Sequence, residues 1–233
     1  MSTLIIIPTL NECENLVNLI PTLFRHFSRG AILVVDDDSR DGTEALVEDM
    51  RKIHSALHLL IRLGERGYGH AVLVGLEWAR DHGYDSVVTM DADFSHDPAL
   101  TPLLVKDLER FDVVIGSRYV PGGAIENWTL QRKLLSKFSN IYVRAILGVP
   151  FHDSTTGFVG YRRTAVQKLL EERPRSEGYA FLVESKYLLY RAGFRIGEHP
   201  MNFHERREGT SKMSWKNIWE AIWRPWRLRF FSR

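Results

Sequence analysis

The sequence predicts an α/β fold in which helices flank a mostly parallel sheet. Short runs rich in β-branched residues alternate with longer amphipathic stretches through the first half of the chain, which is the pattern of strands joined by crossover helices. A chain of 233 residues, 44% of them hydrophobic, is long enough to bury a substantial core within one such domain.

The strands are expected at five apolar runs, covering residues 4–7, 32–35, 57–61, 86–90 and 112–115. Between them, helices are expected over residues 14–27, 43–54, 70–82 and 98–109. Asn11 is expected to cap the first helix, with Glu14 completing a capping box three residues later. The first run follows Met1 with no basic leader, so it predicts a strand rather than a signal peptide.

The second half of the chain has a different pattern. We expect a glycine-containing loop over 116–128, a helix over 129–147, a polar segment over 153–161, a helix over 178–192, an extended segment over 195–205 and a basic loop over 206–212. These features predict one domain over residues 1–212, divided near residue 115, followed by a tryptophan-rich tail over residues 213–233.

Bulk composition excludes several classes of function. A formal net charge of +2 is too small to predict nucleic-acid binding. The single cysteine, Cys13, cannot form a disulfide within the chain, and it is interpreted as a packing residue. No apolar run approaches the ~20 residues of a membrane-spanning helix, so any membrane contact is expected to be peripheral.

Aspartates follow two of the predicted strands. Asp36, Asp37 and Asp38 follow the second strand, and Asp91 and Asp93 follow the fourth. Ligands of open parallel sheets bind at the carboxyl ends of the strands, and every predicted strand end except the third carries residues suited to chemistry. Converging carboxylates repel one another unless a cation such as Mg²⁺ or Mn²⁺ lies between them. The alternative is that these aspartates only form turns and helix caps.

The sequence gives little support for either of two known phosphate-binding motifs. Gly67, Tyr68 and Gly69 resemble the start of a GxGxxG dinucleotide motif, but Val72 stands where the third glycine belongs. The segment also does not follow the first strand, as that motif requires. No GxxxxGK[ST] loop is present either, so the sequence does not predict P-loop phosphate transfer.

Six ordered segments resemble a known family. They are PTLNE at 8–12, VDDDSRDGT at 35–43, DADFSH at 91–96, GSRY at 116–119, DSTTG at 153–157 and GTSK at 209–212. This set is similar to the inverting family-2 glycosyltransferases, and within them to the polyprenol-phosphate (dolichol-phosphate) mannose synthases of the single-domain branch without transmembrane helices. The resemblance implies a GT-A type nucleotide-binding fold.

The resemblance also implies a site and a reaction. The implied nucleotide-sugar residues are Pro8, Leu10, Glu12, Val35, Asp37, Met90, Asp91, Ala92, Asp93, Arg118, Arg206 and Lys212. Residues 1–115 would form the nucleotide-sugar half and residues 116–212 the acceptor half of one glycosyltransferase domain. The donor would be GDP-mannose, and the acceptor a polyprenyl (dolichyl) phosphate.

Specific roles follow from the same resemblance. Asp91 and Asp93 would hold Mg²⁺ or Mn²⁺, and Ser95 stands where some relatives carry a glutamine ligand. The residues implied at the acceptor phosphate are Arg118, Arg132 and Ser136, and those implied in catalysis are Asp93, Arg206 and Lys212. We expect one in-line displacement with inversion and no general base, because a phosphate monoester is already anionic near neutral pH.

The tail predicts a contact with a membrane surface. Trp215, Trp219, Trp223 and Trp226 recur at helical spacing, and Pro225 is expected to interrupt or kink the helix. Five basic residues and one acidic residue lie within 213–233, which is typical of a helix in an anionic interface. The alternatives are packing on the catalytic domain and a combination of the two. The chain is expected peripherally at the cytoplasmic face of a membrane, where a small anchoring subunit would be a further partner.

Three other functions remain open at this point. The donor could instead be UDP-glucose or another nucleotide sugar, with the same chemistry. The acceptor could be a polysaccharide or protein hydroxyl, which would require a catalytic base. A scaffold that binds membranes through its tail alone would leave the six ordered segments without a purpose.

Overall fold

The computed structural model describes residues 1–64, 66–204 and 223–230, and it has the predicted α/β architecture. The strands are β1 Thr3–Thr9, β2 Ala31–Asp36, β3 Leu57–Ile61, β4 Ser86–Thr89, β5 Val113–Ser117, β6 Ala124–Ile125, β7 Val159–Arg162, β8 Ile196–Pro200 and β9 Asn202–Phe203. The helices are α1 Cys13–His26, α2 Thr43–Arg51, α3 Tyr68–Asp81, α4 Thr101–Asp107, α5 Leu130–Leu147, α6 Arg163–Glu172, α7 Gly178–Arg191 and α8 at 223–230, and a short 3₁₀ turn, Pro98–Leu100, precedes α4.

Seven of the strands form the central sheet, in the order β3-β2-β1-β4-β7-β5-β8. Strand β7 is antiparallel to both of its neighbours, β4 and β5, and every other pairing in this sheet is parallel. Strands β6 and β9 form a separate parallel pair. The prediction of a mostly parallel sheet is therefore confirmed.

Side chains alternate between the two faces of the sheet and form two cores. In β1, Leu4 and Ile6 belong to one core, which also contains buried residues of α3, α6 and α7. Ile5 and Ile7 belong to the other core, with buried residues of α1, α2 and α4. Helices thus cover both faces, which is why these strands are continuous apolar runs.

The predicted cap of α1 is wrong. Asn11 has a left-handed backbone with φ of 57°, and its Oδ1 accepts a hydrogen bond from the backbone N–H of Arg40 at 2.9 Å. Glu12 occupies the cap position without a side-chain capping bond. Asn11 instead ties the loop after β1 to the loop after β2, so its side chain is unavailable to the helix.

Three elements were missing from the sequence prediction, namely β6 within the expected loop at 116–128, β7 and α6. The polar segment at 153–161 ends in β7, and α6 follows it directly. The sequence indicated neither β7 nor α6, because β7 covers only four residues, which include Gly160 and Arg162. The expected extended segment at 195–205 is present as β8 and β9.

The tail is described only in α8. Pro225 lies in the first turn of this helix, and the part of the tail in which the preceding helix was expected lies outside the described residues. Leu228 is buried in the same core as Val143 and Leu147 of α5. Among the helices that the structure describes, none is long and apolar enough to cross a membrane.

Candidate functional site

The candidate site lies at the edge of the sheet where the parallel strands end. Strands β2, β1 and β4 are neighbours, and their carboxyl ends bring Asp36 and Thr89 to this edge. Because β7 is antiparallel, the residues that precede it arrive at the same edge. The segment 153–158 therefore lies with the ends of β4 and β5, although it comes from the second half of the chain.

Asp37 is held by a buried ion pair. Its carboxylate contacts the guanidinium of Arg62, and its Oδ2 accepts a hydrogen bond from the backbone N–H of Gly67 at 2.8 Å. Arg62 follows β3, the one strand end at which the sequence indicated no chemistry, so that statement was wrong. In the same run, Asp36 accepts a hydrogen bond from the Ser39 backbone N–H at 3.0 Å within its own loop.

Asp91 and Asp93 share one environment. The Asp91 carboxylate is part-exposed, and the Asp93 side chain is buried. Burial raises the pKa of the Tyr68 hydroxyl well above its usual value, and Asp91 and then Asp93 add to the effect, so both carboxylates lie close to this tyrosine. The Tyr68 hydroxyl is buried and makes no hydrogen bond of ordinary geometry. Asp91 and Asp93 thus both lie near Tyr68, while the convergence of all four aspartates on one cation stays a prediction.

His96 lies against Asp91 and Phe158. Its ring stacks on Phe158 with centroids 5.2 Å apart, and its Nδ1 accepts the backbone N–H of Asp91 at 3.2 Å. Burial lowers the pKa of His96, against the opposing effect of Asp91, so the ring is neutral with its proton on Nε2. That nitrogen lies 3.9 Å from Asp91 Oδ2.

These residues fit a divalent cation. The described residues contain no group of three or more His, Cys, Asp or Glu side chains that could hold a metal. Mg²⁺ and Mn²⁺ sites that act on phosphates commonly use one or two carboxylates and complete the shell with water and substrate oxygens. A part-exposed Asp91 beside Asp93 matches that donor set.

Gly157 makes room for Asp91. A Cβ atom at Gly157 would lie 3.0 Å from Asp91 Oδ1 and against the Tyr68 hydroxyl, which is closer than side chains normally approach. We expect Gly157→Ala to lower the affinity for Mn²⁺, measured calorimetrically with a nucleoside diphosphate present, by roughly 10–100-fold. Gly160→Ala is the matched control, because its Cβ would meet Leu108 at an ordinary 3.5 Å. Equal affinities in the two variants would contradict this expectation.

The residues implied in the nucleotide pocket lie around this edge of the sheet. Some of them have side chains that point into the cores and not into a pocket. Val35, Met90 and Ala92 are buried in the two cores, so only their backbone atoms could contact a ligand. Pro8, Leu10 and Glu12 are part-exposed in and after β1. The Glu12 carboxylate accepts a hydrogen bond from Asn15 Nδ2 at 2.7 Å.

Arg118 follows β5 and is buried against Asp153. Its Nε and Nη2 donate to the two carboxylate oxygens of Asp153, each at 2.7 Å, and Nη2 also donates to Thr155 Oγ1 at 2.7 Å. Burial alone would raise the pKa of Asp153, but the charge and hydrogen bonds of Arg118 hold it below its usual value. The arginine predicted to bind phosphate therefore orders the 153–157 segment.

Arg132 and Ser136 lie on α5 beside Arg118. The guanidinium of Arg132 lies over the Trp128 ring at 3.9 Å from its centroid, and the Arg118 guanidinium lies 5.9 Å from the same ring. Ser136 Oγ accepts a hydrogen bond from the Tyr119 hydroxyl at 2.7 Å. The three predicted acceptor residues are thus brought into one cluster, whereas Arg206 and Lys212 lie outside the described residues.

Lys186 is a buried residue that the sequence analysis missed. Its Nζ donates to the carbonyl oxygens of Ser154, Thr156 and Leu182 at 2.8–3.1 Å. Burial lowers its pKa to about 7, against the opposing charge of Asp153. A lysine inside the apolar pattern of α7 was the available signal. Lys186 joins this helix to the segment between Asp153 and Gly157.

Helix α8 both packs on the domain and exposes aromatic residues. Arg224 pairs with Glu184 at 3.1 Å, and Trp226 Nε1 donates to the Tyr142 hydroxyl at 2.8 Å. Trp223 and Phe230 remain mostly exposed. In this described part of the tail, packing and exposure therefore occur together.

The chain is similar to known proteins over almost its whole length. Across 231 residues the chain is 41% identical to polyprenol monophosphomannose synthase of Mycolicibacterium smegmatis, covering 97% of this chain and 87% of that relative. It is 39% identical over 222 residues to undecaprenyl-phosphate mannosyltransferase of Micrococcus luteus, covering 95% of this chain and 91% of that relative.

The fold has solved counterparts in glucosyl-3-phosphoglycerate synthase of Mycobacterium tuberculosis. Its complex with Mn²⁺, UDP and glucosyl-3-phosphoglycerate superposes with a TM-score of 0.65 at 20% identity, covering 98% of this chain and 79% of that one. Its complex with Mn²⁺, UDP-glucose and phosphoglyceric acid gives a TM-score of 0.67 at 19% identity, with the same coverage. The model of the glycosyl transferase family 2 matches residues 4–170. The chain therefore belongs to glycosyl transferase family 2.

Proposed function

We propose that this glycosyltransferase moves mannose from GDP-mannose to a polyprenyl phosphate, with inversion and with a divalent cation. The observation that carries the proposal is the meeting of the Asp91 and Asp93 pair with the 153–157 segment at one sheet edge. The near full-length similarity to two polyprenyl-phosphate mannosyltransferases supports the choice of substrates.

The donor binds along the ends of β1, β2 and β4. Asp37, fixed by Arg62 and Gly67, accepts hydrogen bonds from the nucleoside, and Pro8, Leu10 and Glu12 line the same pocket. Asp91 and Asp93 would hold Mg²⁺ or Mn²⁺, and the cation would supply stabilisation of the leaving diphosphate's charge. His96 accepts the backbone N–H of Asp91 and so fixes the main chain at this residue.

The acceptor binds beside α5. Arg132 contributes a cation and Ser136 a hydroxyl to bind the phosphate. Arg118 orders the adjoining 153–157 segment through its ion pair with Asp153. In this proposal, the cations of Arg206 and Lys212 cover the donor diphosphate. Two anionic substrates can approach each other only where cations offset their repulsion.

The reaction is one displacement at the anomeric carbon. A phosphate oxygen of the acceptor forms a bond to that carbon as its bond to the diphosphate oxygen breaks, and GDP leaves with the bonding electron pair. The acceptor oxygen is already ionised near neutral pH, so the chain supplies no general base. Its own residues bind, orient and offset charge.

The proposed setting is the cytoplasmic face of a membrane. Residues 213–233 give the protein a peripheral contact with the bilayer, and a small anchoring subunit would strengthen it. Exposed aromatic side chains in α8 support this placement, since aromatic residues favour the interface between lipid and water.

A reconstituted assay tests the proposal. Purified protein with GDP-mannose, a short polyprenyl phosphate and MnCl₂ is expected to form mannosyl phosphoprenol, detected by mass spectrometry, and chelation of the metal is expected to abolish the product. Thermal shifts with GDP and with UDP, each with MnCl₂, compare the bases independently, because a ligand of the folded state raises Tm. Product from UDP-glucose but not from GDP-mannose would overturn the donor assignment.

A further inference from the structure

Helix α5 has an exposed apolar face. Leu130, Leu134, Phe138 and Ile141 are 72%, 58%, 66% and 57% exposed, and their spacing places them along one side of the helix. Leu135 lies beside them and is 58% exposed. Large apolar side chains exposed as a continuous stripe indicate an interaction surface, whereas isolated ones do not.

Helix α8 extends this face. Trp223, Trp226 and Phe230 are 63%, 44% and 66% exposed. Trp226 is fixed to α5 by its hydrogen bond to Tyr142, and Arg229 Nη1 donates to the carbonyl oxygen of Leu147 at 3.1 Å. The exposed apolar side chains of α5 and α8 thus adjoin, and together they are called the docking face.

The charged residues within the two described helices of the docking face all have one sign. Residues 130–147 contain four basic residues and no acidic residue, and residues 223–230 contain three basic residues and no acidic residue. Lys133, Lys137 and Arg144 form a basic stripe next to the apolar stripe of α5, at spacings of four and seven residues. An apolar face bordered by cations is complementary to an anionic lipid surface and not to a neutral one.

We propose that the docking face lies in the interface of an anionic bilayer, with α5 parallel to the membrane plane. Ser136 and Arg132 lie on the side of α5 turned away from the apolar stripe, one helix diameter of about 10 Å from the lipid. The acceptor cluster is therefore held just above the headgroups. This inference rests on the proposed function only in its choice of a lipid-linked acceptor.

The first test measures binding alone. The full chain is floated with vesicles of phosphatidylcholine and phosphatidylglycerol in equal parts, and with vesicles of phosphatidylcholine only. Leu134→Ser with Phe138→Ser is expected to lower the affinity for the mixed vesicles by at least about tenfold. Lys133→Glu with Lys137→Glu is expected to lower it by roughly fivefold per residue and to remove the preference for anionic lipid.

Ile53→Ser with Leu63→Ser is the matched control, because these residues are 81% and 84% exposed away from the docking face. The control is expected to bind like the parent protein. Full vesicle binding by the Leu134 and Phe138 variant would overturn the inference. So would a concentration-dependent dimer that this variant dissociates, because the face would then bind a second copy of the chain.

The second test separates this inference from the proposed function. With a short, water-soluble polyprenyl phosphate, the Leu134 and Phe138 variant is expected to retain the parent rate. With a long polyprenyl phosphate embedded in mixed vesicles, its rate is expected to fall in proportion to its vesicle binding. An equal loss with both acceptors would overturn the docking role. A parent protein that binds vesicles but transfers no sugar would contradict the proposed function alone.

Discussion

Replacing Asp93 by asparagine is expected to lower kcat/KM by roughly 10²–10³-fold, because the cation that offsets the leaving diphosphate loses a charged ligand. The fold should survive, since the amide oxygen can still accept the Ser95 N–H hydrogen bond that Asp93 Oδ1 accepts at 3.0 Å. Initial rates measured over a range of MnCl₂ concentrations check the expectation. A loss of metal binding shows as a shift of the activation curve to higher concentration.

Asp81→Asn provides the control, because Asp81 pairs with its neighbour Arg80 on the surface. It should leave the activation curve unchanged. If Asp93→Asn lost activity while its Mn²⁺ affinity with GDP stayed at the parent value, Asp93 would act on a proton or on the sugar and not on the metal.

Replacing Asp153 by asparagine is expected to lower the free energy of unfolding by about 3–5 kcal/mol, because it leaves the buried charge of Arg118 without its counterion. Both side chains are almost fully inaccessible, with 5% and 0% exposed. Urea denaturation at neutral pH, with Tm as a second readout, measures the effect. A loss below about 1 kcal/mol, the value of a surface pair, would contradict a buried and fully desolvated pair.

The sign of the pH dependence follows from the lowered pKa of Asp153. In the folded protein this carboxylate stays ionised below the ordinary value of 3.8. Its contribution to stability is therefore complete above that value and is lost as the pH falls below it. Asp153→Asn should accordingly be less sensitive to acid than the parent protein. The double variant Arg118→Met with Asp153→Leu should lose less stability than the sum of the single changes.

Much of the first half of the fold was predictable from the sequence. The strands that end at Thr9, Asp36 and Thr89 are apolar and β-branched, and their exits place Asp91 and Asp93 at the ligand edge by a general rule of parallel sheets. The length of α5 was also predictable, because Thr129 caps it and Gly148 ends it in a left-handed conformation with φ of 68°.

The ion-pair partners of Asp37 and Asp153 were not predictable, because they come from distant parts of the chain. Arg62 reaches Asp37 across 25 residues, and Arg118 reaches Asp153 across 35 residues. Nothing in the local pattern distinguishes a paired arginine from a solvated one. For the same reason, the sequence indicated Arg118 as a phosphate ligand but not its ion pair with Asp153.

The reversed strand β7 has a consequence for synthesis on the ribosome. Within the described part of the chain, strand β5 pairs with β7 and β8 alone, and both of these strands are translated after it. Until residue 162 has emerged, the apolar segment Val113–Ser117 is a strand without a neighbour, and such an edge readily joins other chains. Nascent protein that stalls before this point should therefore be prone to aggregate or to require a chaperone.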